Sequence, residues 1–357
     1  MRTTIKATNA CNLNCTYCGA WRQAEGVMSF DVLANIYRSL SHHVGNGTVL
    51  VYWHGGEPLI AGLEFYKRAI ALQRDFAPTL FRNHMISNLT LCNEEWADFF
   101  AQHNFFVATS LDGPQQIHDK NRRHFNQSGT YDEVFQSIDI LRRHKATIEG
   151  GIATLHRGNI RSIEEIYRTY RMLRLNLTLG YMTPTGIKVC KPLTIPEEEY
   201  YTALRLLMEL WLLDPDPIEI NVFEAIIDGL MNPRQVKSCL EDIIGFDVDG
   251  AIFPCHAAIG YNVFNFGKIS SDYKISSANS AWQSIKDITY DLIEYCNQCE
   301  VFGMCDGLCP YSNSILHSDP NHKPKDCGPR KEFFLWAKER LSPYLINYNN
   351  DEQHGGS

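Results

Sequence analysis

The sequence predicts an α/β protein, an open, partial (β/α)6 TIM-like barrel followed by a C-terminal cysteine-rich module. Two observations lead to this prediction. Residues 3–182 alternate short β-like runs with amphipathic helical stretches, which is typical of a parallel sheet. After residue 237 this alternation stops, and seven of the twelve cysteines follow between residues 239 and 327.

The expected elements follow the chain in order. The expected strands cover residues 3–8, 48–53, 84–87, 106–111, 151–155 and 175–182. The helices expected between them cover residues 63–74, 94–103, 131–144 and 163–173. We therefore expect four segments: a barrel (1–195), a helical linker that begins after Pro196 (196–236), the cysteine-rich module (237–335), and a C-terminal helix with a disordered tail (336–357).

Length and charge restrict the possible partners. The chain has 357 residues, enough for one large α/β domain and a smaller module. Its formal net charge is −8 and its basic residues form no extended block, so no nucleic-acid partner is expected. Because the chain has no apolar run of transmembrane length and no signal-peptide core, we expect a cytoplasmic protein without membrane contact. In a reducing compartment, twelve cysteines indicate metal ligands more than disulfides.

Three cysteines, Cys11, Cys15 and Cys18, lie on a short loop directly after the first expected strand. A [4Fe-4S] cluster normally takes four cysteines, so three of them leave one iron open for another ligand. In a parallel α/β barrel this loop lies at the C-terminal face, where ligands bind. A zinc loop that lacks its fourth ligand is the alternative.

This cysteine spacing, with the aromatic Tyr17 before the last cysteine, resembles the radical S-adenosylmethionine (SAM) superfamily. The resemblance implies a cluster whose open iron binds SAM and cleaves it to methionine and a 5′-deoxyadenosyl radical. The strings after the second and fourth expected strands also resemble SAM-binding motifs, and the end of the sixth expected strand, near Thr183, is expected to pass the adenine. The SAM contacts implied in this way are Tyr17, Gly55, Gly56, Glu57, Ser110, Asp112, Arg122 and Thr183.

These motifs leave simpler interpretations open, and one of them departs from the family pattern. A plain turn is the alternative for Gly55 and Gly56, although glycine suits a site where backbone approaches a ligand closely. A surface ion pair is the alternative for Arg122. Residues 87–90 read Ser-Asn-Leu-Thr where relatives commonly have Thr-Asn-Gly-Thr, and we expect the loss of that glycine to reshape the loop.

The seven later cysteines resemble the SPASM pattern, which implies two auxiliary [4Fe-4S] clusters and therefore three clusters in all. By resemblance, the first auxiliary cluster takes Cys239, Cys255 and Cys309, which leaves a fourth position that either binds a substrate thiolate or is capped by another residue. The second takes Cys296, Cys299, Cys305 and Cys327. A zinc-ribbon-like module is the alternative, because the paired cysteine spacings are compatible with tetrahedral zinc.

SPASM enzymes mostly modify ribosomally made peptides or proteins. The resemblance therefore implies a radical SAM peptide maturase with a precursor peptide or protein as substrate and an electron donor such as flavodoxin or ferredoxin. We expect hydrogen-atom abstraction followed by an intramolecular cross-link, either a cyclophane C–C bond or a thioether. The alternatives are anaerobic sulfatase maturation (Cys or Ser to formylglycine), peptide epimerisation and, without enzymatic activity, an iron-sulfur electron carrier or zinc scaffold.

Three residues are candidates for acid or base catalysis. His256 stands where sulfatase-maturing enzymes carry an aspartate that serves as a base, and histidine titrates near neutrality. This departure favours the cross-link over formylglycine. Glu224 and Asp228 are spaced i and i+4 on the linker helix and so share one face, for which a solvated surface is the alternative.

Overall fold

A computed structural model describes most of the chain. The described residues are 1–18, 26–182, 191–232, 240, 242–273, 275, 280–305, 307–325 and 327–354, with side chains for all of them except 191 and 345–354. They form two compact units. Unit 1 lies within residues 1–153 and 238–287, and unit 2 lies within 154–186, 191–237 and 288–357. The cysteine-rich segment is thus divided between the units, and the four expected segments stay a prediction.

Strands and helices alternate along the first part of the chain. They are β1 (Arg2–Thr8), α1 (Phe30–Val44), β2 (Thr48–Gly55), α2 (Leu63–Gln73), β3 (Leu80–Ser87), α3 (Glu94–Gln102), β4 (Phe106–Ser110), α4 (Gln115–His118), α5 (Tyr131–Arg143), β5 (Thr147–Leu155), α6 (Ile163–Leu173) and β6 (Leu177–Tyr181). The elements after β6 are α7 (Glu197–Leu213), α8 (Asn221–Met231), β7 (Ile243–Phe246), β8 (Ile252–Phe253), α9 (His256–Tyr261), α10 (Ser280–Cys296), α11 (Pro310–His317) and α12 (Pro329–His354).

The strands of unit 1 form a largely parallel sheet in the order β5-β4-β3-β2-β1-β7-β8. Strands β1 to β5 are parallel to one another where they pair, β7 is parallel to β1, and β8 is antiparallel to β7. Over the described residues the sheet does not close into a full barrel. The predicted α/β class with an open parallel sheet is therefore confirmed.

Strand β7 was not expected from the sequence. It belongs to the cysteine-rich segment, yet it pairs with β1, where Phe246 lies beside Ile5. Strand β1 is consequently flanked by β2 on one side and β7 on the other. This places the ends of β1, β2 and β7 next to each other at one edge of the sheet, where ligands bind in parallel α/β proteins.

Alternation along the strands decides which side chains face helices. In β2, buried and half-buried residues alternate, with Val51 and Trp53 fully buried. Trp53 packs edge-to-face on Tyr66 of α2, with ring centroids 5.2 Å apart, and Tyr66 packs on Trp96 of α3 at 5.7 Å. Tyr52 and His54 occupy the opposite face of the strand. The aromatic layer anchors α2 and α3 against the sheet.

Unit 2 contains the linker helices and the C-terminal helix. Helix α7 begins after Pro196, as predicted, and α12 begins at Pro329, ahead of residue 336. Arg340 of α12 binds Glu209 of α7 through two hydrogen bonds of 2.7 and 2.6 Å. No helix within the described ranges has the length and apolar character needed to span a membrane.

Candidate active site and cluster sites

The three-cysteine loop, residues 11–18, follows β1 at the C-terminal edge of the sheet. Its backbone is held by the segment after α4. Asn14 N–H donates to the carbonyl of Arg123 at 2.7 Å, and Thr16 N–H donates to that of Asn121 at 3.0 Å. The Thr16 hydroxyl adds a hydrogen bond of 2.5 Å to the Asn121 side chain. These hydrogen bonds fix the backbone of the loop against the segment after α4.

The thiols on this loop suit a group that carries positive charge. All three are free and half-buried. Burial raises the pKa of Cys11 to about 12 and that of Cys15 to about 11. The charge of Arg122 acts in the opposite direction on Cys15. A bound metal centre would hold such thiols deprotonated. The donor set therefore fits an iron-sulfur cluster. In the part of the chain that the structure describes, no group of three His, Cys, Asp or Glu side chains is arranged around a single metal ion.

Three predicted SAM contacts, Tyr17, Asp112 and Arg122, form a network with one another. Arg122 Nε lies 3.0 Å from Asp112 Oδ2, and Arg122 Nη2 donates to Asp112 Oδ1 at 3.1 Å. The Tyr17 hydroxyl donates to Asp112 Oδ2 at 2.5 Å. All three side chains are buried, so Arg122 is not the surface ion pair that was the alternative. The network joins the cysteine loop to the end of β4, and direct SAM contact by these residues stays a prediction.

Glu57 is held in place by three hydrogen bonds. Its carboxylate accepts from Leu59 N–H at 3.0 Å, from the Ser87 hydroxyl at 2.8 Å and from Asn88 N–H at 2.7 Å. Burial raises the pKa of Glu57 to about 7 even though these donors favour the charged form. Glu57 thus connects the loops after β2 and β3, and a SAM contact through this carboxylate would add to that structural role.

Gly55 and Gly56 have a structural requirement of their own. A Cβ atom on Gly55 would clash with the carbonyl oxygen of Thr8, and one on Gly56 would clash with that of Ala10. Gly55 also has φ +141°, which disfavours other residues. The close approach that requires these glycines is therefore between β2 and the start of the cysteine loop, whereas close approach to a ligand stays a prediction.

In the loop at residues 87–90, a leucine adopts a backbone conformation that favours glycine. Leu89 has φ +61° and a fully buried side chain. Its N–H donates to the Ser87 hydroxyl at 2.9 Å, and its carbonyl accepts from the Ser137 hydroxyl at 2.8 Å. Burial of the side chain offsets the strain of the left-handed conformation. That the loss of glycine reshapes the loop relative to relatives stays a prediction.

The remaining predicted SAM contacts are less informative. Ser110 ends β4 half-buried and pairs with Ile152 of β5. Thr183 lies outside the described residues. Their contact with SAM stays a prediction.

The ring of His256 lies near that of His54, a residue that the sequence did not point to. The rings of His54, at the end of β2, and His256, at the start of α9, lie 6.2 Å apart by their centroids. Gly55 N–H donates to His54 Nδ1 at 2.7 Å, which leaves the proton of the neutral ring on Nε2. Burial, then the charges of His256 and Lys6, lower the pKa of His54 to about 3. Desolvation and then the charge of Lys6 also lower the pKa of His256, a residue with part of its surface exposed to solvent.

A buried ammonium group lies on the same face of the sheet. Lys6 pairs in register with His54, and its side chain is only 2% exposed. Its Nζ lies 3.3 Å from Asn9 Oδ1 and 3.9 Å from Asp247 Oδ1, and the Asn9 side chain donates to Asp247 at 3.0 Å. A lysine between Ile5 and Ala7 in the first strand was the signal that could have identified this cluster.

Glu224 and Asp228 lie on α8 in unit 2, whereas His256 lies in unit 1. Glu224 is exposed, and burial followed by the charge of Glu219 raises its pKa. Asp228 accepts a hydrogen bond of 3.0 Å from Asn232. The catalytic role of Glu224 and Asp228 stays a prediction.

Four cysteines line one cavity of about 330 Å³ in unit 2, and they are the set implied for the second auxiliary cluster: Cys296, Cys299, Cys305 and Cys327. Helix α10 ends at Cys296, and Cys299 N–H donates back to the Cys296 carbonyl at 2.9 Å. This turn brings the two cysteines to the same wall. The donor set and the volume of the cavity fit a four-thiolate iron-sulfur cluster.

Arg330 lines the same cavity. Its guanidinium donates to the Tyr201 hydroxyl at 3.1 Å, to the Gly307 carbonyl at 3.4 Å and to Glu197 Oε1 at 2.7 Å. Nearby charges, with Tyr201 and Glu197 foremost, outweigh burial and raise the pKa of Arg330, which stays cationic. The cavity thus contains a fixed positive charge.

The ligands implied for the first auxiliary cluster are not brought together within one unit. Cys239 lies outside the described residues, Cys255 lies in unit 1 directly before α9, and Cys309 lies in unit 2 directly before α11. This ligand set stays a prediction.

Comparison with known proteins places these sites in context. Residues 5–170 match the radical SAM superfamily. A serine-type anaerobic sulfatase-maturating enzyme of Klebsiella aerogenes is 34% identical over 355 residues, which cover 95% of this chain and 85% of that protein. A cysteine-type enzyme of the same name from Clostridium perfringens (strain 13 / Type A) is 25% identical over 368 residues, 97% of each chain. The solved structure of native anSMEcpe with bound AdoMet and Cp18Cys peptide matches with a TM-score of 0.79 at 23% identity, covering 98% of this chain and 99% of that one. The last similarity concerns the fold.

Proposed function

Because this chain belongs to the radical SAM family that includes the anaerobic sulfatase-maturating enzymes, we propose that it oxidises a side chain of a polypeptide substrate by hydrogen-atom abstraction. The residues that would hold the SAM-cleaving cluster are Cys11, Cys15 and Cys18. With SAM and the auxiliary clusters bound, the cofactors would supply the abstracting radical and a route for the remaining electron. The tasks left to the protein are to position the substrate and to accept its proton.

The observation that carries the proposal is the imidazole pair of His54 and His256 at the same edge of the sheet as the cysteine loop. Both rings have lowered pKa values, and a pKa of about 3 keeps the His54 ring neutral near pH 7. His54 Nδ1 is occupied by Gly55 N–H, so His54 is a donor through Nε2. His256 keeps solvent access and is the group that can accept a proton from a substrate thiol or hydroxyl.

Formylglycine formation is the first candidate reaction. It is supported by the relatives named for sulfatase maturation, which match nearly the whole chain. Loss of one hydrogen atom from the carbon, one proton to His256 and one electron converts a serine side chain to an aldehyde. A cysteine gives the corresponding thioaldehyde, which water hydrolyses.

Peptide cross-linking is the second candidate, and His256 favours it. The sulfatase-maturing pattern carries an aspartate at the position that His256 occupies in this chain. Unlike a carboxylate, an imidazole can accept a proton without placing a second negative charge beside a substrate thiolate. A substrate radical that is not oxidised at its own heteroatom can instead form a bond to a neighbouring side chain, which then loses one proton to His256 and one electron to the bound clusters.

The test is anaerobic turnover of the reconstituted protein with SAM, a reductant and the Cp18Cys peptide that is bound in the related structure. Formylglycine from cysteine changes the peptide mass by replacement of sulfur with oxygen and loss of two hydrogens, and it reacts with a hydrazide probe. A cross-link loses two hydrogens and does not react with the probe. Unchanged mass with deuterium uptake indicates epimerisation. SAM cleavage with an unaltered peptide would count against the proposal for this substrate.

Two variants separate the base from the radical step. His256→Ala is expected to reduce peptide modification at least a hundredfold while 5′-deoxyadenosine formation continues, since general-base catalysis contributes about 10²–10⁴-fold. His256→Asp restores a base and is the matched control, expected to recover part of the product. Equal activity of wild type and His256→Ala would rule out the assignment of His256.

A further inference from the structure

The wall of the four-cysteine cavity contains a guanidinium that cannot move freely. Arg330 lies three residues after Cys327, in the first turn of α12. Each of its three nitrogens has its own acceptor, namely Tyr201, Gly307 and Glu197. Its side chain is 21% exposed. A long side chain with three separate anchors loses the conformational freedom that usually weakens arginine contacts.

One of these anchors also borders the cluster ligands. Gly307 has φ +77°, and a Cβ atom there would lie 3.5 Å from Cys296 Sγ. The carbonyl that accepts from Arg330 is therefore part of the loop that passes beside this cysteine. The second anchor, Glu197, begins α7 and places a carboxylate 2.7 Å from the guanidinium. The cavity is thus lined by a cation, and the counter-charge of this cation lies 2.7 Å from it, outside the lining residues.

Electrostatics then gives these two side chains opposite effects. A cluster bound by four thiolates is an anion, and reduction makes it more negative. A fixed cation in a partly desolvated cavity stabilises the reduced form, and a carboxylate destabilises it. Lys331, which also lines the cavity, pairs with Glu300 at 2.9 Å on a more exposed surface and is screened by solvent.

We propose that Arg330 raises the reduction potential of the auxiliary cluster bound by Cys296, Cys299, Cys305 and Cys327, and that Glu197 limits this effect. The inference depends on the proposed cluster, and it assigns a function to two residues that are not ligands. Arg330 tunes how readily this cluster accepts an electron, and Glu197 sets how much of the arginine charge the cluster experiences.

The experiment is a redox titration of the full-length reconstituted protein, followed by EPR spectroscopy, with the signal of this cluster identified by its loss in Cys327→Ser. Arg330→Gln is expected to shift the reduction equilibrium at least tenfold toward the oxidised form, which is about 59 mV to lower potential for one electron. Arg330→Lys keeps the charge and is expected to shift it less. Glu197→Gln is expected to shift the potential in the opposite direction.

Arg340→Gln is the matched control. Arg340 and Glu209 join the same two helices, α12 and α7, through a bidentate pair, but neither lines the cavity. Its removal is expected to leave the potential unchanged. Unmoved potentials in Arg330→Gln and Glu197→Gln, with full iron content, would overturn the inference, as would shifts in the same direction. Wild-type protein that binds no iron at these four cysteines would instead refute the proposed cluster.

Discussion

Arg122 and Asp112 form a buried ion pair with two contacts, Nε to Oδ2 at 3.0 Å and Nη2 to Oδ1 at 3.1 Å. Burial would raise the pKa of Asp112, but the charge of Arg122 and then that of His118 hold it below its usual value. The hydrogen bond from Tyr17 links this pair to the cysteine loop. The pair therefore helps determine where the three thiols lie before any iron is bound.

Removal of one partner of this pair is expected to be costly. Arg122→Met leaves the Asp112 carboxylate buried without its cation, which should lower the free energy of unfolding by about 3–5 kcal/mol. Denaturation of the metal-free protein, followed by circular dichroism, measures the loss. The double variant Arg122→Met/Asp112→Leu removes both charges and should recover part of it. A single variant within about 1 kcal/mol of wild type would contradict the structural role of the pair.

Two variants of Leu89 separate the effect of backbone strain on stability from the effect of side-chain burial. Leu89→Ala removes the buried side chain and keeps the positive φ, so it should destabilise by about 2–5 kcal/mol. Leu89→Gly loses the same side chain but adopts positive φ without strain. We expect the glycine variant to be about 1 kcal/mol more stable than the alanine variant, with both below wild type. Urea denaturation of the three proteins tests this order, and an alanine variant more stable than the glycine variant would contradict it.

Glu57 predicts a pH dependence of stability. Its folded-state pKa of about 7 lies above its ordinary value of 4.5, so the folded protein binds more protons between these values. The free energy of unfolding should therefore decrease as pH rises from about 4.5 to about 7, by up to about 3 kcal/mol from this group. Glu57→Gln lacks the titrating proton. The difference in unfolding free energy between wild type and Glu57→Gln, measured at pH 5 and pH 8, should shift against wild type at the higher pH, and a constant difference would refute the assignment.

The packing around Gly229 in unit 2 leaves no room for a larger side chain. A Cβ atom on this residue of α8 would clash with the backbone carbonyl of Gly303. Gly229→Ala should therefore destabilise by about 1–3 kcal/mol, despite the better helix propensity of alanine. Gly260 lies in α9 and has open space around the added atom, so Gly260→Ala serves as the control and should stay within about 1 kcal/mol of wild type. Thermal unfolding of the two variants distinguishes them, and equal effects would contradict the predicted clash.

Local patterns predicted much of the fold because they depend on neighbouring residues. Helix α6 has the predicted bounds, and α2, α3 and α5 each end one residue before the predicted end. Asn93 caps α3 by accepting from Trp96 N–H at 3.0 Å, which is a contact within four residues. Strand β7 could not be predicted in the same way, because its pairing with β1 joins segments about 240 residues apart.

The candidate site shows the same division. Cysteine spacing singled out the loop of Cys11, Cys15 and Cys18, and the resemblance to the SPASM pattern implied the four-cysteine set of unit 2, because residues on short turns leave a pattern in the sequence. The tertiary structure alone decided that Arg122 binds Asp112, that His54 faces His256 across 202 residues, and that Arg330 lines the wall of the cysteine cavity. Such pairings follow from strand order, register and burial, and these depend on the packing of the whole chain.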